Sequence, residues 1–369
     1  AFILAFLGKV FLKPYQRFMP LPEGHAQKSR KRGTLPPPYP NGWFHLLNSN
    51  EIQRGEVREI EALGHHLAVF RGQNGKVSVL DAYCPHLGAN LCHGGEVKDN
   101  CLVCPFHGWA FDGEGTCVNI PYSENIPSVA RTQSWATCER NGGILVWHHA
   151  EGQAPEWEVP VIDVLDKGEF VCHGSTQHHV GAHCQEIPEN GADVAHLNHL
   201  HVPFLSKILG AFFHLEHSWN AHWQPGVGEE AFLSHIRLSQ SLRCFGIIIP
   251  GTKIDVEINQ VGPGVVNLHF FTPFGQMYTV ETVTPMKPLQ QRCTHTMWAT
   301  WRVPRWFAKF VLASLCIQFE RDVPIWNHKQ FLSRPLVVKT DGPITQFRRW
   351  YQKFYSKGSH ELANKALDW

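Results

Sequence analysis

The sequence predicts an α+β protein in two parts. A small antiparallel β domain covers residues 43–150, and a larger α+β domain, an antiparallel sheet with helices laid on it, covers 151–369. Three observations predict it. Short alternating runs separated by turn residues fill the stretch from Trp43 to Trp147, a second set broken by Gly and Pro fills 254–301, and Phe307–Phe319 reads as an amphipathic helix. At 369 residues the chain is long enough for two domains, by a prior of roughly 100–200 residues each. Apolar residues at 43% and charged residues at 18% describe ordinary globular cores, and a net charge of +1 gives no reason to expect nucleic acid.

Taken in order, the chain opens on an almost wholly apolar stretch, residues 1–12, with no initial Met. Twelve residues fall short of the roughly twenty that span a bilayer. The stretch reads as the end of a truncated membrane anchor, residues 1–18, with an amphipathic surface helix as the alternative. Lys9, Lys13, Arg17, Lys28, Arg30, Lys31 and Arg32 mark the cytoplasmic side. Residues 19–42 are basic and Pro-rich, with Pro36, Pro37, Pro38 and Pro40, and read as a linker. Strands are expected at Val57–Ile60, Leu67–Phe70 and Val77–Leu80, with Gly72–Gly75 as a turn, and at Gly143–Trp147 as the closing strand. Residues 150–160 are a loop and helical signals occupy 188–215. Further strands are expected at Ile254–Ile258, Val265–Phe271, Tyr278–Thr284 and Cys293–Trp301, with breaks at Gly262-Pro263-Gly264 and Pro273–Gly275.

The first motif is Cys84-Pro85-His86-Leu87-Gly88, followed by Cys104-Pro105-Phe106-His107-Gly108-Trp109. C-x-H and C-x-x-H place one thiolate and one imidazole on each of two loops, a four-ligand metal site. Zinc accepts such a set as a tetrahedron. A [2Fe–2S] centre accepts it as two Cys on one iron and two His on the other. The Pro after each Cys and the Gly within two residues of each His suit tight loops whose N–H groups approach cluster sulfurs. Cys101-Leu102-Val103-Cys104 also matches a redox CxxC, without the thioredoxin-like context that would support it. Of the eleven Cys, the nine outside the motif are irregularly spaced, which fits reduced thiols rather than a disulfide framework.

A second group lies in Asp193-Val194-Ala195-His196-Leu197-Asn198-His199-Leu200-His201. Mononuclear Fe(II) sites for O2 chemistry take two His and one carboxylate on one face. Three His are available here, and helix geometry leaves His196 open to partnership with either His199 or His201. The carboxylate is expected far along the chain on a helix, where Glu320 and Asp322 are the choices, either of which could instead pair with Arg321 on the surface.

These motifs, in this order over residues 43–330, resemble the Rieske oxygenases. Respiratory Rieske proteins add a disulfide-forming Cys to each loop, and this chain has Ala89 and Phe106 there. The resemblance implies that Cys84, His86, Cys104 and His107 hold a [2Fe–2S] cluster and that His196, His201 and Asp322 hold a mononuclear Fe(II). His199 is then a bystander, and the five-residue step from His196 to His201 implies a distorted helix. It further implies that Asp193 bridges the outward-facing cluster His of a neighbouring subunit to an iron-bound His in a ring-shaped homotrimer. Electrons would come from NAD(P)H through a separate reductase, since the chain has no dinucleotide-binding G-x-G-x-x-G of its own. The chain also resembles the Neverland family of animal cholesterol 7-desaturases in its apolar start, its basic linker and the Glu320–Trp326 stretch. That family is itself similar to bacterial 3-ketosteroid 9α-hydroxylase oxygenases. The resemblance implies O2-dependent conversion of cholesterol to 7-dehydrocholesterol, an early step in steroid hormone synthesis, at an endoplasmic reticulum membrane with the metal domains in the cytosol. A hydroxylase acting on another steroid or apolar substrate is the alternative, and a pure electron-transfer protein would need no second metal site. The strand faces Val265–Phe271 and Thr296–Trp301 are expected to line the sterol pocket.

Overall fold

A computed structural model describes residues 14–21, 35–201, 215–250, 252–338 and 340–366. Residues 1–13 of the expected anchor and 22–34 of the expected linker lie outside these. Where description begins, Tyr15–Met19 is a strand, β1. Residues 15–18 therefore belong to a sheet and not to an apolar anchor helix. Among the described residues no helix is long and apolar enough to cross a membrane.

The first unit contains β2 (Gly42–Asn48), β3 (Val57–Ala62), β4 (His65–Arg71), β5 (Val77–Asp81), β6 (Glu96–Lys98), β7 (Cys101–Val103), β8 (Ala110–Phe111), β9 (Cys117–Asn119), β10 (Ser134–Trp135), β11 (Thr137–Arg140) and β12 (Gly143–His148). They pair antiparallel in three small sheets, ordered β10-β5-β4-β3, β11-β12-β2 and β6-β7-β8-β9. Gly75 takes φ +88° in the turn between β4 and β5, where a side chain would be strained. One core gathers around Phe44, Leu67 and Val79, and a second around Phe70, Leu102 and Phe111.

The second unit contains α1 (Asp163–Asp166), β13 (Val171–Val180), α2 (Val194–Leu200), β14 (Leu215–Pro225), β15 (Leu233–Cys244), β16 (Ile247–Ile248), β17 (Ile254–Val261), β18 (Val265–Thr272), β19 (Gly275–Lys287), β20 (Gln290–Ala299), α3 (Arg305–His328), α4 (Ile344–Tyr351) and α5 (Lys357–Ala366). One sheet runs β1-β13-β20-β19-β18-β17-β15-β14, with β16 paired to β15. It departs from the expected all-antiparallel sheet at one edge, because β1 adds parallel to β13. Parallel neighbours need a long connection, and here more than a hundred residues, including the whole first unit, separate the two strands.

Three long strands, β13, β14 and β15, carry no strong apolar run and were not anticipated. Val171–Val180 reads VCHGSTQHHV, and it is a strand because both of its edges are paired. The expected helix over 188–215 is shorter where described: 3-10 turns at Cys184–Glu186 and Pro188–Gly191 lead into the seven residues of α2. β20 stops at Ala299, and Trp301 lies exposed in the following turn.

Alternation gives the large sheet two differently employed faces. On one face Thr284 donates to the His45 carbonyl at 2.7 Å, Arg292 donates to the same carbonyl at 3.1 Å, and Thr296 donates to Asn48, so this face meets the first unit. On the other, Met277 and Met297 pack against Ala308 and Leu312 of α3. The end of the expected linker also packs rather than spans. Pro37, Pro38, Tyr39 and Pro40 are buried, the Pro37 carbonyl faces His183 Nε2 at 3.1 Å, and the Pro40 carbonyl faces His148 Nδ1 at 2.9 Å. Proline carbonyls remain acceptors although the ring removes the donor.

The junction of the units is close at Gly264, where a Cβ would sit 2.7 Å from both Phe44 Cδ1 and the Trp43 carbonyl oxygen. Gly264→Val is expected to destabilise the protein by about 1–3 kcal/mol through overpacking, read as a lower denaturation midpoint. An unchanged midpoint would mean that the junction is looser than these distances.

Candidate functional site

The two first-motif loops are built alike. In one, Cys84 N–H donates to the Ala89 carbonyl and Gly88 N–H to the Cys84 carbonyl, both at 2.9 Å. In the other, Cys104 N–H donates to the Trp109 carbonyl at 2.8 Å and Gly108 N–H to the Cys104 carbonyl at 3.1 Å. Gly88 and Gly108 take φ +75° and +74°, which closes each loop in the left-handed region. The loops present Cys84 and Cys104 inward, each 3% exposed, and His86 and His107 side by side with ring centroids 4.7 Å apart. His86 stacks on Trp109 at 4.6 Å, and Trp109 Nε1 donates to the Tyr122 hydroxyl. Burial pushes the Cys84 thiol up to about 11, a backbone N–H at His86 pulls the other way, and the adjacent Cys104 adds to the rise. Two buried thiols outside any disulfide, next to two imidazoles, suit a positively charged metal centre, and two Cys with two His are the donor set of a Rieske-type [2Fe–2S] cluster. None of the eleven cysteines is in a disulfide.

In the second unit the structure brings together His196, His201 and Asp322, with one ligand atom from each lying within 4.8 Å of the others. His196 sits in the first turn of α2. His201 is the residue just past its end, with φ −95° and ψ 29°. The five-residue step is thus met by ending the helix, not by distorting it. His196 Nδ1 donates to the Asp193 carbonyl, and His201 Nδ1 donates to Gln318 Oε1 at 2.7 Å. Both rings therefore have their second nitrogen free to face Asp322, whose Oδ1 is 3.4 Å from His201 Nε2. Burial lowers the His196 pKa, and the neighbouring Asp322 charge opposes that fall. His199 is exposed and outside the group. Glu320 is also elsewhere. Arg17 of β1 grips both of its oxygens at 2.5 Å, and His178 Nε2 lies 3.1 Å from Oε1. Arg321 donates instead to Gln318.

Asp193 caps α2, its Oδ1 accepting from His196 N–H at 3.3 Å. Among the described residues no hydrogen bond or ion pair joins it to His86 or His107 of the same chain.

A cavity of about 240 Å³ opens at the three-residue group. Leu315, Gln318, Phe319, Asp322 and Trp326, at helical spacing on one face of α3, form one wall, and β15, β17, β18, β19 and β20 form the floor. Val266 and Leu268 line it as expected. Thr296 does not, because alternation turns it toward the first unit; Cys293 and His295 line it in its place. Sequence reasoning missed Gln318, Glu281 and His295. Gln318 alone had a signal, since it lies one helical turn before Asp322 on the same face.

A cluster-binding unit in front of a unit with a two-His, one-carboxylate site is the build of a Rieske-type oxygenase. Comparison with known proteins agrees. The Rieske [2Fe-2S] domain matches residues 42–130, and the 3-ketosteroid 9alpha-hydroxylase C-terminal domain matches 146–355. The chain is 43% identical to a cholesterol 7-desaturase of Ciona intestinalis over 99% of this chain and 83% of the relative, and 44% identical to one of Xenopus laevis over 93% and 78%. A 3-ketosteroid-9-alpha-monooxygenase oxygenase component of Rhodococcus rhodochrous is 31% identical over 88% and 85%. Among solved structures, dicamba monooxygenase bound to dicamba superposes with a TM-score of 0.64 at 18% identity, covering 88% of this chain and 98% of that one. The chain belongs to the Neverland family of cholesterol 7-desaturases.

Gln318 supplies a direct test of the geometry. Removing the acceptor of a ligand imidazole weakens metal binding by roughly 10–100-fold, so Gln318→Leu is expected to retain the visible cluster spectrum while losing mononuclear iron on dialysis against a chelator. Iron retention equal to wild type would show that His201 needs no such support.

Proposed function

We propose that this protein is a sterol desaturase that converts cholesterol to 7-dehydrocholesterol, using O2 and electrons from NAD(P)H passed through a separate reductase. The observation that carries the reading is the His196, His201 and Asp322 group opening onto a cavity walled chiefly by apolar side chains. In this reading Cys84, His86, Cys104 and His107 hold the [2Fe–2S] cluster, and His196, His201 and Asp322 hold Fe(II). When bound, the cluster supplies single electrons and the iron activates O2 for attack on an unactivated C–H bond.

The residues of the chain do the rest. Gln318 and the Asp193 carbonyl hold the two imidazoles with Nδ1 protonated, so that Nε2 is the free donor on each. Leu238, Ile258, Leu268 and Phe319 offer an apolar bed to a fused-ring substrate and exclude water from the reacting carbon. Asp193 stands beside His196 with a third of its side chain exposed, which supports its role as the acceptor for a cluster imidazole of a neighbouring subunit in a trimer. The opposite faces of the sheet taken by the first unit and by the cavity support transfer between subunits rather than within one. The largely apolar residues 1–12 and the basic residues after them support a position at the cytosolic face of the endoplasmic reticulum.

Incubation with cholesterol, a reductase, NADPH and O2 is expected to yield a sterol lacking two hydrogens, identified by mass analysis. A product carrying one added oxygen would favour the hydroxylase reading instead. His196→Ala should abolish turnover and leave the cluster spectrum intact, whereas Cys84→Ala should remove the cluster colour; bleaching by His196→Ala would break the assignment of ligands to two sites. Asp193→Asn keeps the helix cap, since Asn caps as well as Asp. It should retain both metals while slowing reoxidation of the reduced cluster, with substrate and O2 present, by on the order of tenfold or more. An active monomer would remove the bridge.

A further inference from the structure

The cavity holds one charge-bearing pair besides the three-residue group. Glu281 of β19 and His295 of β20 are direct cross-strand partners. Alternation turns both toward α3, on the face that carries Met277 and Met297, and both line the cavity. His295 Nε2 and Glu281 Oε1 lie 3.9 Å apart, too far for a hydrogen bond with each other. A hydroxyl oxygen set between them has both within reach. Three other polar side chains on the wall are already engaged. Gln260 accepts from Trp223 and Ser234 and donates to the Pro188 carbonyl, Thr282 is paired with Thr294 at 2.6 Å, and Gln318 serves His201 and Arg321.

Among the described residues the Glu281 carboxyl has no hydrogen-bond partner, and a quarter of its side-chain surface is open. For a residue in an inner strand of the sheet, that open surface is the cavity itself. A carboxyl largely withdrawn from water and without a hydrogen bond is costly, and natural interiors rarely keep one without a use. Two features match it to an alcohol. Burial raises its pKa to about 8, which favours the uncharged form that both donates and accepts. Burial also lowers His295 to about 3, with the nearby His178 adding to the fall, so the imidazole is neutral; its Nδ1 is held by the Thr176 hydroxyl at 3.2 Å, and Nε2 is left toward the cavity. Neither group demands a counter-ion, and neither repels an uncharged ligand.

A sterol has an apolar fused-ring body and a single hydroxyl at C3. We propose that Glu281, with His295 beside it, is the specificity-determining residue that binds the sterol 3-hydroxyl, and that this contact sets which ring carbon is presented to the His196, His201 and Asp322 group. The proposal rests on the sterol-desaturase reading and extends it to the group that orients the substrate.

The test compares cholesterol with the same sterol bearing hydrogen in place of the 3-hydroxyl, using reductase, NADPH and full-length protein loaded with both metals. Wild-type protein is expected to favour cholesterol by on the order of 100-fold in kcat/KM, because a site built for a hydroxyl is left unpaired by the analogue. Glu281→Leu should shrink that preference to a few-fold, chiefly by raising KM for cholesterol. Glu281→Gln, which still donates and accepts, should keep most of it. Unchanged cluster absorption and iron content would separate this loss from a folding defect. Equal rates on the two sterols in wild-type protein overturn the proposal with no variant needed, as does a preference that survives Glu281→Leu. A wild-type protein that turns over neither sterol, but oxidises other apolar compounds, overturns the sterol reading itself.

Discussion

The pairing of β19 with β20 is the constraint on which the rest of the site depends. It is an inner antiparallel pair of the nine-stranded sheet, and its register places Glu281 opposite His295, Val283 opposite Cys293 and Thr284 opposite Arg292. Because strand side chains alternate faces, this one register decides two things together. Thr284 and Arg292 reach across to His45, and so seat the cluster-binding unit on one side. Glu281, Val283, Cys293 and His295 become the floor of the cavity on the other. A slip of one residue would exchange the two sets, turning threonines and an arginine into the cavity and a carboxyl into the junction.

The second organising element is α3, whose 24 residues present different faces to different partners. One face carries Leu315, Gln318, Phe319, Asp322 and Trp326 to the cavity. Cys316 and Glu320, one turn apart, face β13 and β1, where Arg17 and His178 take up the Glu320 carboxylate. The choice between two carboxylates two residues apart is thus a matter of helix phase. An angle of roughly 200° separates them around the axis, so both cannot serve one metal. The parallel edge strand β1 supplies Arg17, which pairs with the Glu320 carboxylate away from the His196, His201 and Asp322 group.

The two cluster loops show how local sequence can specify a site almost unaided. Each is a Cys followed four residues later by a Gly with positive φ, and each closes with the same two backbone hydrogen bonds. Spacing and glycine placement therefore position the thiol and imidazole without much help from the surrounding fold. The mononuclear group differs. His196 and His201 stand on and just beyond a seven-residue helix, while Asp322 and Gln318 come from a helix more than a hundred residues later.

That contrast marks what the sequence by itself determined. It was sufficient for the Cys84–His86 and Cys104–His107 motif, for the strands of alternating pattern in both units and for the order of the two units, because these rest on local spacing and periodicity, while the family was reached through resemblance. Asp322 and His201 were reached through resemblance, since the residues alone left Glu320 and His199 open. Only the tertiary structure decided the rest. The His-rich β13 is a strand because its neighbours pair with it, the Pro-rich segment before Trp43 is a packed strap because its carbonyls meet His148 and His183, and Glu281 is a cavity residue because a partner strand and a helix enclose it. In each of these the deciding interaction comes from elsewhere in the chain, and single-chain periodicity carries no information about which distant residues a side chain will meet.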